Sequence, residues 1–427
     1  MAEKLAINGG EKAVTMNYPL WPQVEKEDID AVVAALNKVK EDTRYLTAAG
    51  GGGPLKDFEE DFAKFLGVEH VILTNSGTAA LHIGIMAAGV QAGDEVIVSP
   101  YTWGQTVGPI LHQNGIPVFA DIDPKSYNLD PQSVESKITP YTKAIVVVHL
   151  YGHPTDMDPI MEIADKHGIK VVEDCAQADG AIYKGRRVGS LGHVGCFSVG
   201  DGKNIVGGEG GAMATNDRHI FEKGVLMGLH PAVQEPTLTD PVLRNYIDNL
   251  GYTYRIHPLA AVIVRNQLKH IDEWNGVRRE NATYLSKGLG GVPGVRPPYV
   301  SPDVKHVFHQ YSPSYFGEEL GGLPKGKFIE ALQAEGVRLF AYVKVPIYLR
   351  RRHQEHHFFY GKGCPWSCGH AAREVVYRKG DCPVAEERCE KRELNMSIPM
   401  VPSRELFDQI IEAFRKVTRN ADQIKRD

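Results

Sequence analysis

Four short segments combine residue types that do chemistry, and each directly follows an apolar, β-branched run. The first is Gly200-Asp201-Gly202-Lys203-Asn204, in a stretch that also holds Gly207, Gly208, Gly210 and Gly211. Glycines let a backbone approach a ligand closely, and a sheltered lysine can lose its proton and attack a carbonyl. Read alone, Lys203 is equally a solvated lysine in a glycine-rich loop. It is not a nucleoside-triphosphate loop, because Asn204 follows the lysine where serine or threonine is needed. The second segment is Val171-Val172-Glu173-Asp174. A carboxylate at the carboxyl end of a parallel strand can hold a protonated ring nitrogen, or merely cap the next helix. The third, Asn75-Ser76-Gly77-Thr78-Ala79-Ala80-Leu81, reads as a strand-to-helix turn whose free amides and hydroxyls suit a phosphate, or as a simple cap. The fourth, Ser99-Pro100-Tyr101-Thr102-Trp103, offers an indole that stacks on a planar ligand or packs in the core. A lysine, a carboxylate, a phosphate cradle and an aromatic plate are together what a pyridoxal phosphate site requires.

The elements that must position these groups are legible in the first two-thirds of the chain. Apolar runs near residues 71–74, 95–99, 117–121, 144–150, 170–174, 195–199 and 211–215 give about seven candidate strands, separated by helical stretches. Continuous apolar strands between helices predict an α/β domain with a mostly parallel sheet covered on both faces. After about Arg255 the pattern changes. Residues 259–289 read as one long amphipathic helix, followed by a Pro/Gly-rich stretch over 290–298 and a strand-like run around 308–315. Helices are expected over 325–336 and 403–416, the last capped by Ser403. Expected boundaries are an N-terminal arm over 1–20, a large domain over 21–258, and a linking helix with a smaller α+β domain over 259–427.

Composition narrows the function. The 427 residues carry 48 basic and 53 acidic side chains, a net charge of −5, which gives no electrostatic case for nucleic acid or an anionic membrane. No apolar run approaches a membrane span, and Met1-Ala2-Glu3-Lys4-Leu5 lacks the apolar stretch of a secretory signal. Six cysteines are too few for a disulfide scaffold, so the cytoplasm is the expected location. A nicotinamide enzyme is disfavoured, since no Gly-x-Gly-x-x-Gly follows the first predicted strand.

The chain resembles the DegT/DnrJ/EryC1/StrS sugar aminotransferases, which have the fold type I architecture of pyridoxal-phosphate-dependent transferases. The resemblance rests on Leu5-Ala6-Ile7-Asn8-Gly9-Gly10, Asn75 to Leu81, Tyr101-Thr102-Trp103, Val148-His149-Leu150-Tyr151-Gly152, Glu173-Asp174-Cys175-Ala176-Gln177, Phe197-Ser198 with Lys203, Gly208-Glu209-Gly210-Gly211, and Ile398-Pro399-Met400-Val401-Pro402. It implies that Lys203 forms the internal aldimine and shuttles the proton, and that Asp174 pairs with the pyridine nitrogen. It further implies that Trp103 stacks on the ring, that Gln177 lies near the phenolic oxygen, and that Gly77, Thr78 and Ser198 hold the phosphate. The implied reaction moves an amino group from glutamate or glutamine to a ketone on a sugar nucleotide or cyclitol, in a homodimer with shared active sites. The opening Leu-Ala-Ile-Asn-Gly-Gly resembles the branch acting on inososes. Two other readings are a dehydratase of the same fold, against which Lys203 argues, and a cofactor-binding regulator without turnover.

The chain departs from the family at Gly251-Tyr252-Thr253-Tyr254-Arg255, where the relatives carry asparagine in place of Thr253 to reach the partner's phosphate. A threonine offers one hydroxyl with a shorter reach. Asp201 either touches substrate or caps a turn, and the turn is the favoured reading. In the C-terminal part, Cys364, Cys368, Cys382 and Cys389 with His370 lack paired Cys-x2-Cys spacing, so no metal site is expected. The run Arg350-Arg351-Arg352-His353 with His356-His357 is a solvated face or an anion contact near the substrate entrance. His309, Tyr311 and Tyr348 are the candidate substrate contacts.

Overall fold

The computed structural model describes residues 3–248, 250–357 and 363–425. Seven strands form the central sheet: β1 His70–Thr74, β2 Glu95–Val98, β3 Ile116–Phe119, β4 Thr142–Val148, β5 Lys170–Asp174, β6 Val194–Ser198 and β7 Gly211–Thr215. Their order is β1-β7-β6-β5-β4-β2-β3, with β7 antiparallel to both its neighbours and every other pairing parallel. Each strand falls on one of the apolar runs of the sequence.

Both faces are buried, which explains why the runs are continuous rather than alternating. Val96, Val98, Val146 and Val172 join one core layer, while Ile97, Ile145, Val147 and Val171 join the other. The two-residue period of a strand therefore sends neighbouring side chains to opposite layers. In the parallel register Val148 lies beside Asp174 and Asp174 beside Cys196, so the carboxyl ends of β4, β5 and β6 come together at one edge. Helix α1 (Gly77–Ala87) leaves the end of β1, and α2 (Gly104–His112) begins just past the Tyr101-Thr102-Trp103 turn.

The single helix expected over 259–289 is two helices, α3 (Pro258–Gln267) and α4 (Ile271–Leu289), with the break at residues 268–270. The apolar face continues through the break, so periodicity gives no sign of it: Leu268 and Ile271 both pack in the core layer of the large sheet. Further along α4, Ala282, Leu285 and Leu289 enter a third core, so α4 links the sheet to the C-terminal part.

That third core is built from α5 (Lys325–Ala334) and α6 (Arg404–Arg419), whose Leu406, Phe407, Ile410, Ile411, Phe414 and Val417 form one buried stripe. Ser403 stands before α6 but does not cap it; its hydroxyl donates to Val401 O at 2.9 Å. The strand-like run at 308–315 is reduced to Ser314–Tyr315 paired with Val295–Arg296, plus a bridge between Tyr311 and Met396. The N-terminal arm is fastened here by Leu5 and Val14 in the core and by Glu335, which accepts from Ala6 N, Ala13 N and Lys416 Nζ at 2.8, 3.0 and 3.0 Å.

One stretch of the C-terminal half packs on the large sheet. Val343, Ile347, Tyr348, Trp366, Val375, Tyr377, Cys382 and Cys389 join a core layer of the large sheet. Met1, Ala2 and residues 358–362 of this stretch lie outside the described residues. Among the described residues no helix is long and apolar enough to cross a membrane.

Candidate functional site

A cavity of about 600 Å³ opens at the carboxyl ends of the parallel strands. Gly77, Thr78, Trp103, Asp174, Gln177, Ser198, Lys203 and His309 all line it, although they are spread over more than half the chain.

The two acids that end β5 are separated by the strand period. Glu173 points away from the cavity and is fully buried. Its carboxylate accepts from Gly189 N at 2.8 Å, Leu191 N at 2.8 Å, Gly192 N at 2.6 Å and His149 Nε2 at 2.9 Å. It thereby fixes the 189–192 turn and the residue beside β4. His149, Glu173 and Cys175 are close enough to share a metal ion, but these hydrogen bonds already occupy both carboxylate oxygens. Glu173→Gln leaves buried amides without a charged acceptor and costs about 2–3 kcal/mol of stability, measurable as a lowered denaturant midpoint.

Asp174 faces the cavity. Thr106 Oγ1 donates to its Oδ2 at 2.7 Å and Ala176 N to its Oδ1 at 3.1 Å. Burial raises its pKa, while these hydrogen bonds and the charges of Lys203 and His149 pull the other way. Thr106 lies one helical turn past Trp103 in α2 and is held in turn by Thr102 Oγ1 at 3.0 Å.

Lys203 lies in the loop between β6 and β7, its side chain at the cavity wall. Burial lowers its pKa, and Asp174 and Asp179 partly restore it. The loop carbonyl of Lys203 accepts from the Trp21 indole at 2.8 Å, a bond that ties the N-terminal region to the lysine. Opposite stands the first turn of α1, with Ser76 capping through Ala79 N at 3.1 Å. A Cβ on Gly77 would lie 2.7 Å from Ser198 Cβ, so only glycine allows these two segments to meet.

Trp103 is about half exposed, with Tyr342 stacked on it at 5.6 Å and 24° between planes. The Tyr342 hydroxyl accepts from Gln177 Nε2 at 2.8 Å, and Gln177 Oε1 accepts from Tyr151 N at 2.8 Å. Burial raises the Tyr342 phenol, which stays protonated at neutral pH.

Of the three candidate substrate contacts only His309 reaches the cavity. Tyr311 is fully buried in the C-terminal core, its hydroxyl paired with Ser286 at 3.0 Å. Tyr348 is fully buried against Phe119 and donates to Glu386. Both are therefore core residues, brought inward by packing partners far away in sequence. The basic run is divided. Arg350 reaches the first turn of α2 at Gly104, exposed Arg351 pairs with Glu355 at 2.8 Å, and His353 is buried among Phe119, Trp366 and Tyr377. Thr253 is exposed, and its backbone carbonyl accepts from Asn75 Nδ2 at 3.5 Å. Asp201 lines the cavity from an exposed turn. Cys364 and Cys368 are half-buried, whereas Cys382 and Cys389 are buried in the core of the large sheet.

Sequence reading missed Thr106 and Tyr342, which both line the cavity. Thr106 had a signal, since it falls one turn from Trp103 on the same helix; Tyr342 had none.

The residues present fit pyridoxal phosphate: an amine and a buried carboxylate face one cavity, beside a helix start where a Cβ would fill the cradle. A model of the DegT/DnrJ/EryC1/StrS aminotransferase family matches residues 40–414. The L-glutamine:2-deoxy-scyllo-inosose aminotransferase of Streptoalloteichus tenebrarius is 36% identical over 342 residues, covering 78% of this chain and 80% of that protein. The spore coat polysaccharide biosynthesis protein SpsC of Bacillus subtilis is 32% identical, covering 94% and 97%. Among solved structures, the aminotransferase from Psychrobacter cryohalolentis superposes with a TM-score of 0.78 at 29% identity, covering 95% and 99%.

Proposed function

The chain belongs to the DegT/DnrJ/EryC1/StrS aminotransferase family and is a pyridoxal-phosphate-dependent enzyme acting on a sugar or cyclitol ketone; from that premise we propose that it transfers the amino group of L-glutamine or L-glutamate to a cyclitol ketone, with Lys203 and Asp174 as its catalytic residues. The reading is supported above all by one juxtaposition: a lysine amine and a buried carboxylate line the same cavity at the carboxyl ends of β5 and β6. The lean towards a cyclitol follows the 2-deoxy-scyllo-inosose aminotransferase relative.

When bound, the cofactor supplies an electrophilic carbonyl and a ring that withdraws electrons from the substrate carbon. Lys203 supplies the amine that holds it and moves the proton at the substrate carbon. Its burial favours the neutral, nucleophilic form over the ammonium. Asp174, fixed by Thr106 and Ala176, holds the proton on the ring nitrogen. Gly77, Thr78 and Ser198 would hold the phosphate at the start of α1, where the helix dipole favours an anion. Trp103 would stack on the ring and Gln177 would lie near its phenolic oxygen, both from the cavity wall. Gly77→Ala pushes the Ser198 strand away from α1 and weakens cofactor affinity by about tenfold or more, read by equilibrium binding to the apoprotein.

The proposal includes a cytoplasmic homodimer. Val242, Tyr246, Leu250 and Tyr252 expose apolar surface along one segment, which a second copy would cover. The test is a two-stage assay. Donor is added to cofactor-loaded protein until the visible band is lost; free donor is then removed and 2-deoxy-scyllo-inosose or a keto-sugar nucleotide supplied. Return of the band with formation of an aminated cyclitol supports the reading. A band that no donor moves would contradict it, and return of the band only with the sugar nucleotide would contradict the cyclitol choice.

A further inference from the structure

Beneath the lysine lies a cluster of buried charged and polar groups that the chemistry above does not use. Asp179 is 1% exposed, and neither of its carboxylate oxygens has a hydrogen-bond partner among the described residues. Arg278, on α4, is 4% exposed; its Nη1 donates to Asn204 Oδ1 at 2.5 Å, and its Nε has no partner among the described residues. His309 Nδ1 is likewise buried without a partner. Arg278 and His309 line a second cavity, of about 540 Å³, which shares Gly202, His309 and Ser397 with the first. The Trp21 ring lies on its wall, 5.6 Å from the Arg278 guanidinium carbon.

A buried guanidinium whose hydrogen-bonded partner is a neutral amide is poorly compensated for its lost hydration. The nearby Asp179 balances it only through space. That leaves room for one more anion, presented to a cavity that shares Gly202, His309 and Ser397 with the reaction site. An aminotransferase working in two half-reactions faces a matching difficulty: the donor amino acid brings an α-carboxylate, whereas a cyclitol ketone brings none. We propose that Arg278 holds the α-carboxylate of the amino donor, and that Asp179 takes up a proton from solvent when this anion arrives and releases it when the neutral ketone replaces it. This inference rests on the donor reading given under Proposed function.

The direction of the linkage follows from the surroundings of Asp179. Lys203 faces it from the loop after β6, Arg278 from α4, and Cys175 from its own turn. Desolvation raises its pKa to about 7 against the pull of the two cations. Below that pH the group is neutral and Arg278 is open to a carboxylate; above it, the ionised Asp179 competes with the donor. A group that is protonated in the complex and ionised in the free enzyme makes binding weaken as pH rises.

Kinetics of the first half-reaction on the cofactor-loaded protein test this. The wild-type KM for L-glutamine is expected to rise about fivefold between pH 7 and pH 8, with proton uptake per site in weakly buffered solution growing from about one half at pH 7 to about nine-tenths at pH 8. Asp179→Asn removes both the rise and the proton uptake. Arg278→Met raises the donor KM about tenfold to a hundredfold, with the ketone KM in the second half-reaction changed by less than about threefold. Should Arg278→Met not fold, the wild type alone decides: L-isoglutamine, whose α-carboxylate is an amide, reacts without the pH dependence seen for L-glutamine and with the higher KM. Equal KM values for the two donors, or the same pH slope in Asp179→Asn, would overturn the inference while leaving the donor reading intact. If neither L-glutamine nor L-glutamate moves the visible band, the donor reading fails and this inference falls with it.

Discussion

Replacing Lys203 with alanine lowers turnover by about 10⁴-fold or more and abolishes covalent attachment of the cofactor. The size follows from the two tasks placed on one amine. As a nucleophile it needs its neutral form, which burial among Gly200, Gly202 and the cavity wall favours while Asp174 and Asp179 oppose. As a proton carrier it must face the substrate, and the loop between β6 and β7 sets it at the cavity wall. Alanine retains the loop and the Trp21 bond to its carbonyl, because that bond is to the backbone. The variant therefore keeps its fold and its noncovalent affinity for the phosphate while losing reaction, and steady-state assays with a matched thermal melt separate the two. Loss of activity accompanied by a large drop in melting temperature would mean that Lys203 is mainly structural.

Asp174→Asn lowers kcat by about 10²- to 10³-fold, the scale seen when one fixed charge is removed from a water-excluded site. An amide of the same shape keeps the acceptor oxygen for Thr106 Oγ1 or Ala176 N but loses the full negative charge that holds a proton on a ring nitrogen. KM for the donor changes much less than kcat, since the proposed role of the carboxylate is on the ring and not on the amino acid. Stability moves the other way: burial disfavours the ionised carboxylate, so the neutral amide costs the fold little. The neighbouring Glu173→Gln gives the opposite pattern, a loss of stability with the per-molecule rate of the folded fraction largely retained. Equal effects of the two substitutions on kcat would show that the carboxylates are not divided as described.

The strands and the main site were legible because both depend on local pattern. A parallel sheet covered on both faces writes each strand as an apolar run, and the groups that line the cavity sit where those runs end. Lys203, Asp174, Gly77 and Trp103 each follow such a run, and all four line the one cavity. What failed depended on distant packing. Residues 259–289 carry an unbroken apolar face across the interruption at 268–270, so the pattern does not mark it. Tyr311 and Tyr348 are aromatic residues near the site in sequence, yet their partners Ser286 and Glu386 hold them in the interior. Cys382 and Cys389 lie in the C-terminal half but pack on the large sheet. The adjoining acids of β5 differ in role only because the strand turns one towards the amides of residues 189–192 and the other towards the cavity. Asp179 and Arg278 are nearly a hundred positions apart, and only the docking of α4 beneath the lysine loop makes them neighbours.

If Lys203 carries the chemistry, it is the residue that holds the cofactor covalently, and chemical trapping identifies that residue. Cofactor-loaded protein is reduced with borohydride, digested, and its peptides are searched for the phosphopyridoxyl group by mass spectrometry. Modification is expected at Lys203 alone, and none when the protein is first converted by excess L-glutamine or L-glutamate. Modification centred on another lysine, or a Lys203 peptide that stays unmodified in loaded protein, would contradict it.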